Sequence, residues 1–264
     1  MLVMIENFEW NSIDEVNMVD QMEHPNRLLV VSTYTKLVLI LVAIQISVTL
    51  FVLMILSILR IKFPYGERLK SSIISGLFLL IALVVFFLIA FVKKIDDNYL
   101  LNLALVIVYS ICMATALGVL TTQLNPQVKL AVFGISLVLF ACALLFGAAI
   151  KTNLFDHPMS ILIFLLVISV VIVIVAVVLS VFNQCKYYTI GVYIGAQILL
   201  FIITVFISYV TVGKSRNLLF YPNYSLAAIL LYVMFFSILL INANIKMTLT
   251  RLKVVYSNSS SKLT

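Results

Sequence analysis

The amino-acid sequence predicts an all-α membrane protein built as a bundle of seven transmembrane helices. Of its 264 residues, 64% are hydrophobic and only 10% are charged, and the mean hydropathy is +1.23. A soluble domain would be nearer half apolar and a quarter charged. A helix that crosses about 30 Å of hydrocarbon needs about 20 apolar residues. Seven runs in the chain reach that length.

The first three predicted spans follow an acidic tail. Residues 1–33 contain six of the ten acidic residues, and we expect this tail to be mobile. The first span is predicted at 37–59, and the breaker Pro64-Tyr65-Gly66 separates it from the second at 71–92. The third span is predicted at 100–122. Each of these runs ends at polar or charged residues, which mark the membrane surface.

Four further spans are predicted in the second half of the chain. The turns Asn125-Pro126, His157-Pro158 and Pro222-Asn223 precede the fourth, fifth and seventh spans. These last four spans are predicted at 130–150, 160–182, 188–212 and 224–245. Because the connections are short, neighbouring helices should run antiparallel, and residues 34–245 should form one bundle. We expect residues 246–264 to form a polar C-terminal tail.

Charged residues and histidines are absent from the predicted spans. Beyond the tail, the only acidic residues are Glu67, Asp96, Asp97 and Asp156, and each falls in a short connection. An intramembrane hydrolase would need paired acids, a serine–histidine pair or metal ligands in its spans. The three cysteines form neither a disulfide framework nor a zinc signature. The sequence therefore predicts no enzyme activity, no cofactor and no metal site.

The charge pattern also indicates what surrounds the protein. The net charge of +7 comes from single basic residues scattered between apolar runs. Such residues are typical of loops and of the membrane interface rather than of a nucleic-acid-binding patch. We therefore expect the lipid bilayer as a partner and no nucleic acid.

Polar and small residues inside the spans are the candidate functional residues. In lipid, such residues mark helix contacts or solute pathways, because hydrocarbon offers no hydrogen-bond partner. Gln45 and Thr49 lie four residues apart on one face of the first span. Gly191 and Gly195 form a GxxxG pair that permits close helix approach. The other candidates for helix packing or for lining a pathway are Ser208, Tyr209, Thr211 and Tyr232. The simpler interpretation of each is interhelical packing.

Several of these residues belong to motifs that follow one another along the spans. The first span has Leu41-x-x-x-Gln45-x-x-x-Thr49, the third opens with Asn102-Leu103, and the sixth ends in Tyr209-Val210-Thr211. The seventh reads Tyr224-x-x-Ala227-Ala228-x-x-Leu231-Tyr232. In this order and spacing, the motifs resemble the Bax-inhibitor/Lifeguard family of seven-helix membrane proteins, the transmembrane Bax-inhibitor-motif proteins.

Two positions depart from the pattern of that family. The family has an aspartate directly after the tyrosine of its sixth helix and another two residues beyond the tyrosine of its seventh. Here these positions hold Val210 and Met234. In the family, the two carboxylates are thought to share a proton near a calcium-leak pathway. Two close carboxylates cannot both ionise readily, so the pKa of one carboxyl group rises into the physiological range. When both are ionised, the pair can attract Ca²⁺. Valine and methionine can do neither.

The resemblance implies a multi-pass membrane protein that regulates cell-death sensitivity and intracellular calcium homeostasis. It further implies an endoplasmic reticulum or Golgi membrane, with the plasma membrane as the alternative, and Ca²⁺ or other membrane proteins as partners. Because the two aspartates are missing, we expect any conduction to be insensitive to pH or absent. The alternative hypothesis is a non-conducting protein that keeps the fold and acts by binding other membrane proteins.

Overall fold

Long helices make up the part of the chain that the structure, a computed structural model, describes. The described residues are 24–58, 68–92, 99–122, 124–150, 187–211 and 224–260, with part of the segment 161–175. Six helices are labelled here in chain order: α1 His24–Ile58, α2 Arg68–Phe91, α3 Tyr99–Leu120, α4 Pro126–Ala149, α5 Tyr187–Thr211 and α6 Tyr224–Ser260. Within 161–175, each described residue is helical.

These helices confirm the prediction of an all-α, multi-pass membrane protein. All six are long and apolar enough to cross a bilayer. No strand occurs among the described residues. About half of the residues of the predicted fifth span at 160–182 lie outside the part of the chain that the structure describes.

The ends of two helices differ from the predicted spans. Helix α1 begins at His24 and helix α6 continues to Ser260, so both helices extend beyond the predicted spans 37–59 and 224–245. Hydropathy locates the part of a helix that lies in hydrocarbon, whereas backbone hydrogen bonding continues into polar sequence. The start of α4 is marked locally, because Pro126 occupies the first turn, where its missing N–H leaves no helical hydrogen bond unmade.

Helix α6 lies at the centre of the described bundle and contacts the other five labelled helices. Over the span Tyr224–Lys253, 89% of the most apolar 18-residue stretch is buried. The ring of Phe235 on this helix lies 5.5 Å from the rings of both Phe133 and Phe140 on α4. The bundle is therefore organised around its last helix.

Helix α2 lies at the edge of the bundle, where it packs mainly on α3. Only 22% of its most apolar stretch is buried. Its exposed side chains are large and apolar and include Ile73, Leu77, Leu80, Phe87 and Phe91. Such a face is suited to lipid rather than to water.

Candidate functional site

A short polar contact between helices lies in the core and belongs to a network that joins α1, α3 and α6. Thr49 Oγ1 of α1 lies 2.7 Å from Tyr232 Oη of α6. Thr49 Oγ1 also lies 2.8 Å from the carbonyl oxygen of Gln45 in its own helix. Tyr232 Oη lies 3.4 Å from the carbonyl oxygen of Ser110 in α3. Thr49 and Tyr232 are fully buried.

The two hydroxyl groups have two protons to share among these three contacts. The contact between the hydroxyls and the contact of Thr49 with Gln45 are both shorter than the contact of Tyr232 with Ser110. The favoured arrangement therefore has Tyr232 donating to Thr49 and Thr49 donating to the Gln45 carbonyl. Rotation of both hydroxyls would instead let Tyr232 donate to Ser110. The network is polar but uncharged.

Aromatic rings hold the Tyr232 side chain in place. Its ring lies 6.0 Å from that of Tyr109 in an edge-to-face arrangement and 6.4 Å from that of Phe235. Edge-to-face pairs are favourable because the ring edge is positive and the ring face is negative. Three of the predicted candidates, Gln45, Thr49 and Tyr232, thus come together in a packed core.

Gln45 and Asn102 leave polar atoms unpaired in this core. Gln45 is 0% exposed and Asn102 is 2% exposed. Among the described residues, neither Oε1 nor Nε2 of Gln45 has a hydrogen-bond partner, and the same is true of Asn102 Oδ1. Buried polar groups in proteins are normally hydrogen-bonded, so each of these two residues is unusual for the interior of a bundle.

Ser208 is part of a close contact between α4 and α5. Its Oγ donates a 2.9 Å hydrogen bond to the carbonyl oxygen of Leu144. A Cβ added at Gly147 would lie 2.6 Å from Ser208 Cβ and would also meet the Val205 carbonyl oxygen. Gly147 therefore allows the two backbones to approach. In the sequence, Gly147 is visible only as a glycine near the end of an apolar run, which does not by itself predict this contact.

The close helix approach expected at Gly191 and Gly195 is not seen in the described chain. Both glycines are exposed, and a Cβ added at either would meet no atom within 4 Å. Spacing puts two glycines on one face of a helix, but only the rotation of the helix decides whether that face meets another helix or lipid.

The remaining candidates lie at the C-terminal end of α5 and within α6, and all of them are buried. Tyr209, Val210, Thr211 and Met234 are each at most 3% exposed. Val210 and Met234 belong to the same hydrophobic cluster. The Thr211 hydroxyl donates to the Ile207 carbonyl oxygen of its own helix at 2.7 Å, so it is satisfied locally rather than across helices.

The buried side chains of the described residues carry no formal charge. The buried polar residues are serine, threonine, asparagine and glutamine, without an aspartate, glutamate, lysine or arginine. Within the same part of the chain, no group of three or more histidine, cysteine or acidic residues could hold a metal ion. Neutral hydrogen bonding is therefore the chemistry available to this core.

Two further interhelical hydrogen bonds involve serines that are not among the predicted candidates. Asn242 Nδ2 of α6 donates to Ser136 Oγ of α4 at 2.9 Å. Ser75 Oγ of α2 donates to the Ala116 carbonyl oxygen of α3 at 3.1 Å. A small polar residue within an apolar run was the only signal available for either serine.

No model of a known protein family, no curated protein and no solved structure matches this chain.

Proposed function

We propose that this chain is a seven-span membrane protein of the Bax-inhibitor/Lifeguard type. In this proposal it modulates cell-death sensitivity and intracellular calcium homeostasis in an endoplasmic reticulum or Golgi membrane, without a pH-gated calcium leak. The observation that carries the proposal is the buried contact between Thr49 and Tyr232. These two residues belong to motifs that carry the resemblance and are 183 residues apart in the chain, yet Thr49 Oγ1 lies 2.7 Å from Tyr232 Oη.

The count of seven spans is supported by the direction of α4 and α5. Leu144 and Gly147 lie near the C-terminal end of α4, and Ser208 lies near the C-terminal end of α5. Since Ser208 contacts both residues, the two C-terminal ends lie on the same side of the bundle. Two membrane-spanning helices that end on the same side run in the same direction. In this proposal the chain between them crosses the bilayer once, and the apolar run 160–182 is long enough to form that span.

The absence of pH gating is supported by the side chains at the two diverged positions. Val210 is 3% exposed and Met234 is 0% exposed, and neither can bind or release a proton. A gate that responds to pH needs a group whose charge changes over the working range. The described core offers no carboxylate to take over this role.

A second candidate function is a non-conducting protein that acts by binding other membrane proteins. The packing of aromatic rings favours it, because the buried rings of Phe133, Phe140 and Phe235 pack together between α4 and the central helix α6. Close packing of rings leaves no room for a hydrated ion at that point. Partners would then meet the apolar outer faces of helices such as α2.

Calcium flux into liposomes tests the proposal. The purified protein would be compared with the double variant Val210→Asp/Met234→Asp between about pH 6 and about pH 8, the interval in which a raised carboxyl pKa falls. We expect the native protein to be silent or to leak independently of pH. The double variant should gain a leak that depends on pH.

The single variants Val210→Asp and Met234→Asp are matched controls, because a shared proton needs both carboxylates. A strong, pH-dependent flux through the native protein would contradict the proposal. In cells, altered calcium release from stores on expression of the native protein would favour the regulator. Unchanged stores, together with a silent native protein, would favour the non-conducting alternative.

A further inference from the structure

The last helix of the bundle continues past the hydrocarbon and carries lysines there. The apolar part of α6 begins at Tyr224, and at about 1.5 Å per residue the helix is about 33 Å long when it reaches Lys246. That length is close to the thickness of the hydrocarbon core, about 30 Å. Lys253 lies two turns further along the helix. Lys246 is therefore at the edge of the hydrocarbon, and Lys253 is at the level of the lipid headgroups.

Lys246, Leu249 and Lys253 form one exposed face of α6. All three side chains are exposed, and their spacing of three and four residues puts them on the same side of the helix. The other side of these turns is held against the bundle, where Met247 is 6% and Leu252 is 7% exposed. The exposed face therefore has a fixed orientation, because the helix is packed on its opposite side.

One face of α4 packs against α6 over two turns. The rings of Phe133 and Phe140 contact the ring of Phe235, and Ser136 Oγ accepts the hydrogen bond from Asn242 Nδ2. The three α4 residues are spaced by three and four, so they lie on one side of that helix.

Helix α6 ends at the same end of the bundle at which α4 and α5 begin. Arg251, near the end of α6, interacts electrostatically with Tyr193, near the start of α5. Helices α4 and α5 run in the same direction, because their C-terminal parts meet at Gly147 and Ser208. The lysines beyond the apolar part of α6 therefore lie at the end of the bundle where α4 enters the membrane.

Lys129 lies at this end, on the face of α4 that packs against α6. It is half-buried and precedes the ring contacts of α4 by one turn. The hydrogen bond of Asn242 sets the register of the two antiparallel helices. Seven residues from that bond toward this end, α4 carries Lys129 and α6 carries Leu249, each on the same face as the bonded residue. Lys129 is therefore level with the turns of α6 between Lys246 and Lys253.

The acidic residues are concentrated at the opposite end of the bundle. None occurs among the described residues. Six of the ten precede α1, Asp96 and Asp97 lie between α2 and α3, and Asp156 follows α4. Since α3 ends five residues before α4 begins, each of these positions is at the end of the bundle away from the lysines. Like charges repel at short range, so the three lysines form a site that favours an anion.

The surroundings of the lysines indicate a lipid rather than a soluble anion. Leu249 is 40% exposed between Lys246 and Lys253, and Leu130, next to Lys129, is 51% exposed. A soluble phosphate would leave both leucines in water, whereas the acyl chain of a lipid would cover them. Clusters of basic residues directly beside a membrane span attract anionic lipids.

We propose that Lys129, Lys246 and Lys253 bind the phosphate-bearing headgroup of an anionic phospholipid where α4 and α6 leave the membrane. The headgroup lies between the three ammonium groups, and its acyl chains lie along the exposed leucines. This site is separate from the core residues on which the proposed function rests, and it does not depend on that function.

Native mass spectrometry of the purified protein in detergent tests this proposal. Phosphatidylinositol 4-phosphate is the anionic probe, and phosphatidylcholine, which has no net charge, is the reference lipid. We expect the anionic lipid to bind the native protein more tightly than phosphatidylcholine does, and added salt should reduce this difference because it screens the charges.

Replacing the lysines by glutamine removes the charge and keeps a polar side chain. Each of Lys129→Gln, Lys246→Gln and Lys253→Gln should weaken binding of the anionic lipid about fivefold, and the triple variant about a hundredfold. Lys36→Gln is the matched control, because Lys36 is exposed near the start of α1, at the opposite end of the bundle. It should bind the lipid as the native protein does. Binding of phosphatidylcholine should not change in any variant.

A soluble headgroup separates the two sources of phosphate. Inositol 1,4-bisphosphate, the free headgroup of the anionic probe, should bind more weakly than the lipid, and Leu249→Ser should weaken binding of the lipid alone. Equal binding of lipid and free headgroup would overturn the assignment to a lipid. Equal binding of phosphatidylinositol 4-phosphate and phosphatidylcholine, or an equal loss in Lys36→Gln and in the triple variant, would overturn the site itself.

Discussion

Helices α2 and α6 are both apolar enough to cross a bilayer, yet they occupy opposite environments. In α6, 89% of the most apolar stretch is buried, whereas in α2 only 22% is buried. Hydropathy alone would rank them the other way, because α2 is the more hydropathic of the two. The polar residues Tyr232, Ser237, Asn242 and Asn244 lie along α6.

The difference in burial between α6 and α2 follows from the lack of hydrogen-bond partners in lipid. Lipid tails are as apolar as leucine, so an apolar helix gains little by leaving lipid for the bundle interior. A polar side chain in a span gains a hydrogen-bond partner only from another helix. Tyr232 and Asn242 both find such partners across helices. In this protein, the less apolar span is the central one.

The largest expected effect compares a core phenylalanine with one that faces lipid. Phe235 is 0% exposed and packs on two other rings, whereas Phe87 of α2 is 49% exposed. Phe235→Ala should lower the free energy of unfolding by about 3–5 kcal/mol, because it leaves a cavity. Phe87→Ala should change it by about 0.5 kcal/mol. Unfolding in bicelles measures both, and equal losses would refute the central position of α6.

The next effect concerns two glycines in different surroundings. Gly147→Ala should lower the free energy of unfolding by about 1–3 kcal/mol, because the new methyl group overpacks the contact with Ser208. Gly76→Ala in α2 is the matched control, since a Cβ there meets no described atom within 4 Å. Alanine is the better helix former by about 1 kcal/mol, so the control should be neutral or stabilising. A tolerated Gly147→Ala would mean that α4 and α5 are not in close contact.

The smallest effect concerns the hydroxyl pair. Tyr232→Phe should lower the free energy of unfolding by about 0.6–1.7 kcal/mol, the range for interhelical hydrogen bonds in membranes. The double variant with Thr49→Val should lose less stability than the sum of the two single losses, because both single changes remove the same contact. Ser47→Ala is the control, because the exposed Ser47 bonds only to the Ala43 carbonyl of its own helix. Additive losses would show that the two hydroxyls are not coupled.

The sequence by itself determined the class of the protein, the approximate position of the described spans and the neutrality of their interior. Each of these depends on the transfer of individual side chains between water and hydrocarbon, which composition and hydropathy record. The polar residues that the sequence places inside the spans include Gln45, Thr49 and Tyr232, which lie together in the core. Residues such as Ser110 and Ser136 could not be singled out, because each resembles many small polar residues in other spans.

Only the tertiary structure decided which helix is central and which faces pack. The pair Gly191 and Gly195 has the expected spacing but faces open space, whereas Gly147, which has no glycine four residues away, lies against α5. Spacing defines a face of a helix, but the partner of that face depends on how each helix is rotated and tilted against its neighbours. Rotation is set by the simultaneous packing of all the helices, and no single span contains that information.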